Sequence, residues 1–267
     1  MIKLLAIDMD GTCLNDKKLI SEETLLALRR LSASGVEIVP TTGRALRCCP
    51  HQLTENRFYR YVITSNGACV TDLDTDTDLY RAEIPCRQVL SLLEECRKLH
   101  LGVSVHAKHE FILQGRLLQT LGKLSYGQDA AQARQICSIS GMLKQEQADI
   151  EEIQLFYFSP SARKRLEQVL SRQKNLIATY SPAYVELYAP HASKGTALSQ
   201  LANQLHIQRE EIACIGDADN DLSMFASSGL RFAMGNAVPE LAAQADVILP
   251  SNNDSGVAEA INRYLLP

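Results

Sequence analysis

Apolar and polar positions at the start of the chain follow the order strand, helix, strand. Residues 2–7 form a short apolar run that ends in an acidic turn, which is typical of a buried parallel strand. Ser21 is a good N-cap for a helix, and Gly35 is expected to end that helix. Residues 36–39 predict the second strand. Because strands joined through a helix pair in parallel with a right-handed crossover, this order predicts a parallel sheet.

The C-terminal third repeats this order. Leu198, Leu201 and Leu205 mark one face of a helix, and three apolar runs predict strands at residues 212–215, 230–234 and 246–249. The two ends of the chain therefore predict one α/β domain, a Rossmann-like doubly wound parallel sheet.

The middle of the chain has a different pattern, in which a helix is followed by two strands, twice. The first helix starts at Pro85 and the second at Ser159-Pro160, where serine is an N-cap and proline suits the first helical position. Strands are expected at residues 102–106, 110–114, 153–158, 176–180 and 184–188, with a polar, helical stretch after residue 114. This pattern predicts an inserted α+β domain over residues 84–189 and a core domain made of residues 1–83 and 190–267.

Composition narrows the possible partners and the location. A net charge of −4 argues against a nucleic-acid partner, which would need a basic face. The apolar run at the N-terminus is interrupted at Asp8, too early for a signal peptide or a membrane span, so we expect a cytosolic protein. The eight cysteines are scattered without a C-x-x-C pair and are expected to be reduced core residues.

The string Asp8-Met9-Asp10-Gly11-Thr12 follows the first predicted strand, at the edge where open α/β sheets bind ligands. One of its two carboxylates can attack phosphorus as a nucleophile, and the other can transfer a proton to and from the reacting oxygens. The alternative is an aspartate-rich turn in which glycine supplies the bend.

A second acidic string, residues 216–221, follows the strand predicted at residues 212–215. Carboxylates from both strings would repel one another without a cation, and Mg²⁺ prefers such oxygen ligands. Asp8, Asp217 and the backbone carbonyl of Asp10 are therefore the predicted Mg²⁺ ligands. Asp219 is expected to face solvent.

Two further elements suit an anion such as phosphate. Thr42 and the amide of Gly43 end the second strand, and Arg44 follows as a residue that either reaches the substrate or makes a surface salt bridge. Lys194 follows the N-cap residue Ser193, so it lies at a helix N-terminus, where positive charge is unfavourable unless an anion binds. A solvated lysine is the alternative.

These elements, DMDGT, TTGR, SKGTAL and GDADND, resemble the motifs of the haloacid dehalogenase-like superfamily of phosphatases. NGA, MGNA and SNNDSGVA are similar to features of its Cof-type subgroup, which carries an α+β cap between the second and third motifs. The resemblance implies that Asp8 is the nucleophile, that Asp10 is the general acid and base, and that Asp221 lies behind the Mg²⁺ ligands. It also implies that phosphate is held by the amides of Met9 and Asp10 and by Thr42, Gly43, Lys194 and Asn220.

The expected function is hydrolysis of a small phosphorylated metabolite, with a sugar phosphate as the leading substrate class. A cap of this size would admit compact substrates and exclude water. A phosphosugar mutase and a catalytically silent phosphate-binding module are the alternatives. A monomer or a small homo-oligomer is expected.

Two other patterns are interpreted without a role in catalysis. The acidic residues within 72–78 have the spacing of a calcium loop, but Thr77 replaces the required glycine, so a hairpin turn is expected. His106 and His109 are expected in a turn, with both imidazoles exposed.

Overall fold

The computed structural model describes residues 1–56, 58–115 and 132–266. Contacts divide the chain into two compact units. The first comprises Met1–Gly43, Cys49–Tyr80 and Ser193–Pro267, and the second comprises Arg44–Cys48 and Arg81–Ala192. Within the described residues, no helix has both the length and the apolar character that crossing a membrane requires.

The described secondary structure is as follows. The strands are β1 Leu4–Asp8, β2 Glu37–Thr41, β3 Tyr61–Thr64, β4 Cys69–Asp72, β5 Thr77–Arg81, β6 Gly102–Ala107, β7 Glu110–Gln114, β8 Arg134–Ile136, β9 Glu152–Phe156, β10 Ile177–Tyr180, β11 Tyr184–Tyr188, β12 Ile212–Gly216, β13 Leu230–Ala233 and β14 Val247–Ile248. The α-helices are α1 Glu22–Ala33, α2 His51–Asn56, α3 Cys86–Cys96, α4 Ile139–Glu146, α5 Pro160–Leu170, α6 Lys194–Gln204, α7 Leu222–Ala226, α8 Pro239–Ala242 and α9 Gly256–Ala260. Short 3₁₀ turns lie at Leu46–Cys48, Ser65–Gly67, Arg97–Leu99, Arg209–Glu211, Asp219–Asp221 and Asn252–Asp254, and a π turn lies at Ile261–Leu265.

The first unit is built on a sheet with the strand order β14-β13-β12-β1-β2-β3-β4-β5. Its six strands from β14 to β3 run parallel, and β4 pairs with β3 in the antiparallel sense. The predicted α/β fold with a parallel core sheet is confirmed. β1 lies near the middle of this sheet, between β12 and β2.

Both faces of β1 are buried, which explains its unbroken apolar run. Leu5 and Ile7 pack in a cluster with Leu28 of α1, and Leu4 and Ala6 belong to a second cluster that contains residues of α6. A strand covered by helices on both faces has no polar side, so the alternation expected of a half-exposed strand is absent. β1 is therefore a strand of a doubly wound sheet.

Local signals place α1 where the sequence predicts it. The Ser21 hydroxyl accepts a hydrogen bond from the Thr24 amide at 3.2 Å, and Gly35 has a φ of +89°, a conformation that suits glycine after a helix. The second strand is longer than predicted, because β2 continues through Pro40 to Thr41. Proline lacks the amide donor of a strand residue, and β2 pairs with β3 only at Thr41, so the sheet accommodates this proline.

The second unit contains a sheet with the strand order β10-β11-β9-β6-β7-β8. Its described neighbours are antiparallel apart from β7 and β8. A helical stretch was predicted after residue 114. Residues 116–131 of it lie outside the described residues, and the part that is described contains β8 and α4. This mixture of helices and antiparallel strands is of the α+β type.

The expectation for His106 is wrong. His106 lies on β6 and is fully buried, and its ring meets the Phe111 ring edge-on with 5.1 Å between centroids. Burial lowers the pKa of His106 to about 3, so the imidazole is neutral. His109 does lie in the turn, with a side chain 21% exposed, and its amide donates to the buried carboxylate of Glu151 at 2.8 Å.

Two other expectations from the sequence agree with the structure. β4 and β5 flank the acidic turn as a hairpin would, and Arg60 binds both carboxylate oxygens of Asp72, at 3.0 and 2.6 Å. All eight cysteines are free thiols, most of them buried.

Two leucines of α1 allow a matched test of this packing. Leu28 is 1% exposed and Leu26 is 58% exposed. Leu28→Ala is expected to lower the free energy of unfolding by about 2–5 kcal/mol, because it leaves a cavity in the core. Leu26→Ala is expected to change it by less than about 0.5 kcal/mol. Chemical denaturation of both variants measures the difference, and equal effects would contradict the burial pattern of α1.

Candidate active site

The candidate site lies at the carboxyl edge of the first unit's sheet. β12, β1, β2 and β3 are neighbours and run parallel, so their carboxyl ends meet at one edge. Asp8 is the last residue of β1, and Asp217 directly follows β12. Thr42 and Gly43 directly follow β2. This edge is where open α/β sheets bind their ligands.

A buried ammonium group lies at the centre of this edge. Lys194 is the first residue of α6, and its N-cap Ser193 accepts a hydrogen bond from the Thr196 amide at 3.0 Å. The Nζ of Lys194 lies 2.5 Å from Oδ1 of Asp8 and 2.7 Å from Oδ1 of Asp221. The lysine side chain has no exposed surface. The alternative of a solvated lysine is therefore wrong.

The remaining acidic residues are held by backbone and hydroxyl donors. Oδ2 of Asp221 accepts from the amides of Asp217 at 2.9 Å and Ala218 at 3.1 Å. The Thr12 hydroxyl donates to Oδ1 of Asp217 at 2.7 Å. Asp221 thus orients both Lys194 and the turn that carries Asp217. Asp219 in the same turn is exposed, as expected.

Burial and charge shift the protonation of these groups. Burial raises the pKa of Asp8 well above its ordinary value; Lys194 opposes this shift, whereas Asp221 and Asp217 add to it. Burial also raises the pKa of Asp217, and the hydrogen bond from Thr12 opposes that shift. Burial alone would lower the pKa of Lys194, but Asp221 and Asp8 raise it above its ordinary value, so Lys194 carries its charge. Three carboxylates, those of Asp8, Asp217 and Asp221, lie close together, and the single positive charge of Lys194 does not offset all of their negative charge.

Two glycines leave the space that the carboxylates of Asp217 and Asp221 occupy. A Cβ at Gly11, whose φ is +87°, would lie 2.3 Å from Oδ2 of Asp217. A Cβ at Gly216 would lie 2.6 Å from Oδ2 of Asp221. Both positions therefore require glycine for the carboxylates to occupy their places.

The acidic cluster has the composition of a metal site. One carboxylate oxygen each from Asp8, Asp217 and Asp221 lies within 4.8 Å of the others. Hard divalent cations prefer oxygen ligands, and a cation here would offset the repulsion that raises the pKa values of Asp8 and Asp217. These residues fit a divalent metal ion.

A second group of polar residues lies at the ends of β2 and β3. The Asn66 amide donates to the carbonyl of Thr42 at 3.1 Å, and the side chain of Asn220 donates to Oδ1 of Asn66 at 2.9 Å. A Cβ at Gly43 would lie 2.9 Å from Nδ2 of Asn66. Asn66 thus links two segments predicted to bind phosphate, the one after β2 and the one that contains Asn220.

The other predicted site residues lie as follows. Met9 is 1% exposed, and its carbonyl accepts from the Leu14 amide at 2.8 Å, which closes the turn after β1. Asp10 accepts a hydrogen bond from Nζ of Lys18 at 3.0 Å. Arg44 belongs to the second unit, where it is buried and donates to the carbonyl of Cys48 at 3.3 Å. A surface salt bridge is therefore not the role of Arg44.

Sequence reasoning missed several residues that contact this site. Thr12 was part of the first motif, but its bond to Asp217 depends on a strand about 200 positions later in the chain. Asn236 donates to the carbonyl of Gly11 at 2.8 Å, and the MGNA motif was the only signal for it. No sequence pattern pointed to Lys18.

Comparisons with known proteins show the family of the chain. A family profile of haloacid dehalogenase-like hydrolases matches residues 5–261. The phosphatase YwpJ of Bacillus subtilis is 31% identical to the chain, over 99% of this chain and 100% of that protein. The 5-amino-6-(5-phospho-D-ribitylamino)uracil phosphatase YcsE of the same organism is 29% identical, over 99% of this chain and 96% of that protein.

A solved structure agrees with the computed fold. A haloacid dehalogenase-like hydrolase from Bacteroides thetaiotaomicron superposes with a TM-score of 0.88 at 26% identity, covering 98% of this chain and 99% of that chain. The chain belongs to the haloacid dehalogenase-like hydrolases. The family and its Cof-type subgroup, predicted from the motifs, are confirmed, and so is the prediction of an enzyme.

Metal binding by the acidic cluster can be tested without a substrate. Mg²⁺ at 100 times its Kd is expected to stabilise the wild-type protein by about 2.7 kcal/mol and to raise its Tm by roughly 5–10 °C. Asp217→Asn is expected to abolish most of this shift, because it removes a ligand charge. Asp219→Asn is the matched control in the same turn and is expected to keep the shift. Thermal unfolding with MgCl₂ and with EDTA measures both variants, and an equal loss in both would contradict the assignment.

Proposed function

We propose that the chain is a magnesium-dependent phosphatase that hydrolyses a small phosphorylated metabolite through an aspartyl-phosphate on Asp8. The class, a phosphoric monoester hydrolase, follows from the family and from relatives that are named phosphatases. The observation that carries the mechanism is the buried Lys194, which holds Asp8 at the carboxyl edge of the sheet.

In the first half of the reaction, Asp8 is the nucleophile. One of its carboxylate oxygens attacks phosphorus, and the bond between phosphorus and the leaving oxygen breaks. Asp10, two residues later in the same turn, gives its proton to that oxygen as general acid. Lys194 stabilises the negative charge on the phosphoryl oxygens, and it keeps its own charge because Asp221 remains beside it.

In the second half, water cleaves the aspartyl-phosphate. Asp10, now a carboxylate, takes a proton from the attacking water, and the phosphorus–oxygen bond to Asp8 breaks. Thr42, Gly43 and Asn220 are proposed to bind the phosphoryl oxygens, together with the amides of Met9 and Asp10. Asn66 supports this role by linking the segments of Thr42 and Asn220.

The proposed metal ligands are Asp8, Asp217 and the carbonyl of Asp10, with Asp221 behind them. When bound, Mg²⁺ supplies positive charge that offsets the charge of the transferring phosphoryl group. Thr12 and Asp221 hold Asp217 and its turn in place for this binding.

The second unit is proposed to act as the cap that sets substrate specificity, and Arg44 is a candidate substrate contact within it. A sugar phosphate is the proposed substrate class. The relative YcsE is named for a phosphorylated ribitylamino-uracil, so phosphorylated sugar alcohols belong in the same test. A cytosolic location and a monomeric or small homo-oligomeric state stay predictions.

The covalent mechanism makes a sharp prediction for Asp8. Asp8→Asn is expected to lower kcat at least about a thousandfold, because the amide is a poor nucleophile. Asp219→Asn, which changes an exposed carboxylate, is expected to keep the wild-type rate. Phosphate release from p-nitrophenyl phosphate with Mg²⁺ measures both, and circular dichroism checks folding. Near-native turnover by a folded Asp8→Asn variant would rule out the aspartyl-phosphate.

A panel of sugar phosphates, sugar-alcohol phosphates, nucleotides and phosphorylated cofactors tests the substrate class. Equal amounts of inorganic phosphate released and ester consumed are expected for a hydrolase. Consumption of a sugar phosphate without phosphate release would indicate a mutase. No turnover of any compound would favour a silent binding module.

A further inference from the structure

The loop that follows the turn after β1 contains Lys18, which contacts Asp10, the proposed general acid. Nζ of Lys18 lies 3.0 Å from Oδ1 of Asp10, and the two side chains are 41% and 35% exposed. Lys18 has no assigned role in the mechanism above. An exposed ion pair on two flexible side chains contributes little to stability, so any role of this pair lies in its place beside Asp10 and not in holding the fold together.

The backbone around Lys18 is fixed locally. Lys18 has a φ of +60°, a conformation uncommon for lysine. The side chain of Asn15 holds it, because its Oδ1 accepts from the amides of Lys17 at 2.9 Å and Leu19 at 3.1 Å. The Lys18 amide also donates to the Asn15 carbonyl at 2.8 Å. These bonds fix the point at which the Lys18 side chain leaves the backbone.

The loop is also anchored to distant parts of the first unit. Asn253 exchanges two hydrogen bonds with Asp16, donating to the carboxylate at 3.0 Å and accepting from the amide at 3.1 Å. Asn252 donates to the carbonyl of Leu14 at 3.0 Å. These asparagines belong to the SNNDSG motif, which otherwise lacks a function in the mechanism. They hold the loop that carries Lys18.

We propose that Lys18 is a positioning residue, which holds the carboxyl group of Asp10 in the orientation needed for proton transfer to the leaving oxygen. This proposal rests on the proposed function, in which Asp10 is the general acid. A proton donor must lie within about 3 Å of the atom that it protonates, and small displacements of such groups are costly in rate. The asparagines of the SNNDSG motif contribute by holding the loop that carries Lys18.

The test uses two aryl esters that differ in their need for a proton. p-Nitrophenolate leaves readily without protonation, whereas the phenolate of phenyl phosphate is a poorer leaving group. Lys18→Ala is expected to lower kcat/KM for phenyl phosphate about tenfold, with a much smaller loss for p-nitrophenyl phosphate. This ratio reports formation of the aspartyl-phosphate and departure of the leaving oxygen, and it is independent of the later hydrolysis step, which both esters share. Lys17→Ala is the adjacent exposed control and is expected to change neither rate. Lys18→Arg is expected to retain most of the activity, because it keeps a positive donor.

A double-mutant cycle separates positioning from other roles. In an Asp10→Asn background, Lys18→Ala is expected to have no further effect on kcat/KM for phenyl phosphate. A loss that persists in that background, or equal losses of kcat/KM with both esters, would overturn the proposal. If the wild-type enzyme cleaves neither these esters nor any compound of the substrate panel, the proposed function fails and Lys18 loses its role with it. Activity of the wild type with unchanged Lys18→Ala kinetics would overturn the Lys18 proposal alone.

Discussion

The buried ammonium of Lys194 is the interaction on which the rest of the site depends. It lies against Asp8 and Asp221, which come from β1 and from the turn after β12. A buried charge is costly unless it is paired, and removing one partner of such a pair is strongly destabilising. Lys194 therefore links α6 to two strand ends, and the position of Asp8, the proposed nucleophile, is a consequence of how α6 is capped and packed.

The parts of the site that were predictable are those with a local signal. Asp8 and Asp217 each follow an apolar run that predicts a strand. Because neighbouring parallel strands have their carboxyl ends at the same edge of a sheet, both residues were expected at that edge. Lys194 was recognisable because Ser193 marks a helix start, and its conflict with the helix dipole suggested a bound anion. The structure shows that the carboxylates of Asp8 and Asp221 contact its ammonium group. The fold was predictable for the same reason, since short buried strands alternated with helices at both ends of the chain.

The parts that escaped prediction depend on contacts between residues far apart in the chain. Thr12 bonds to Asp217, and no property of either segment alone indicates that pairing. His106 looked like a turn residue beside His109, yet tertiary packing against Phe111 buries it on a strand. The second strand was predicted only over residues 36–39, but β2 continues through Pro40, which the sheet accepts because β2 pairs with β3 at Thr41. In each case, packing overrides the local preference.

The place of β1 in the sheet has a consequence for biosynthesis. Leu4 of β1 lies opposite Glu37 of β2 on one side and opposite Ile212 of β12 on the other. While the ribosome is still synthesising the middle of the chain, β1 can pair only with β2, and part of its apolar surface lacks its covering. The second unit, whose residues all precede α6, can complete its own sheet before β12 has emerged. The first unit thus begins first and finishes last, so nascent chains expose an incomplete hydrophobic sheet until β12 has emerged.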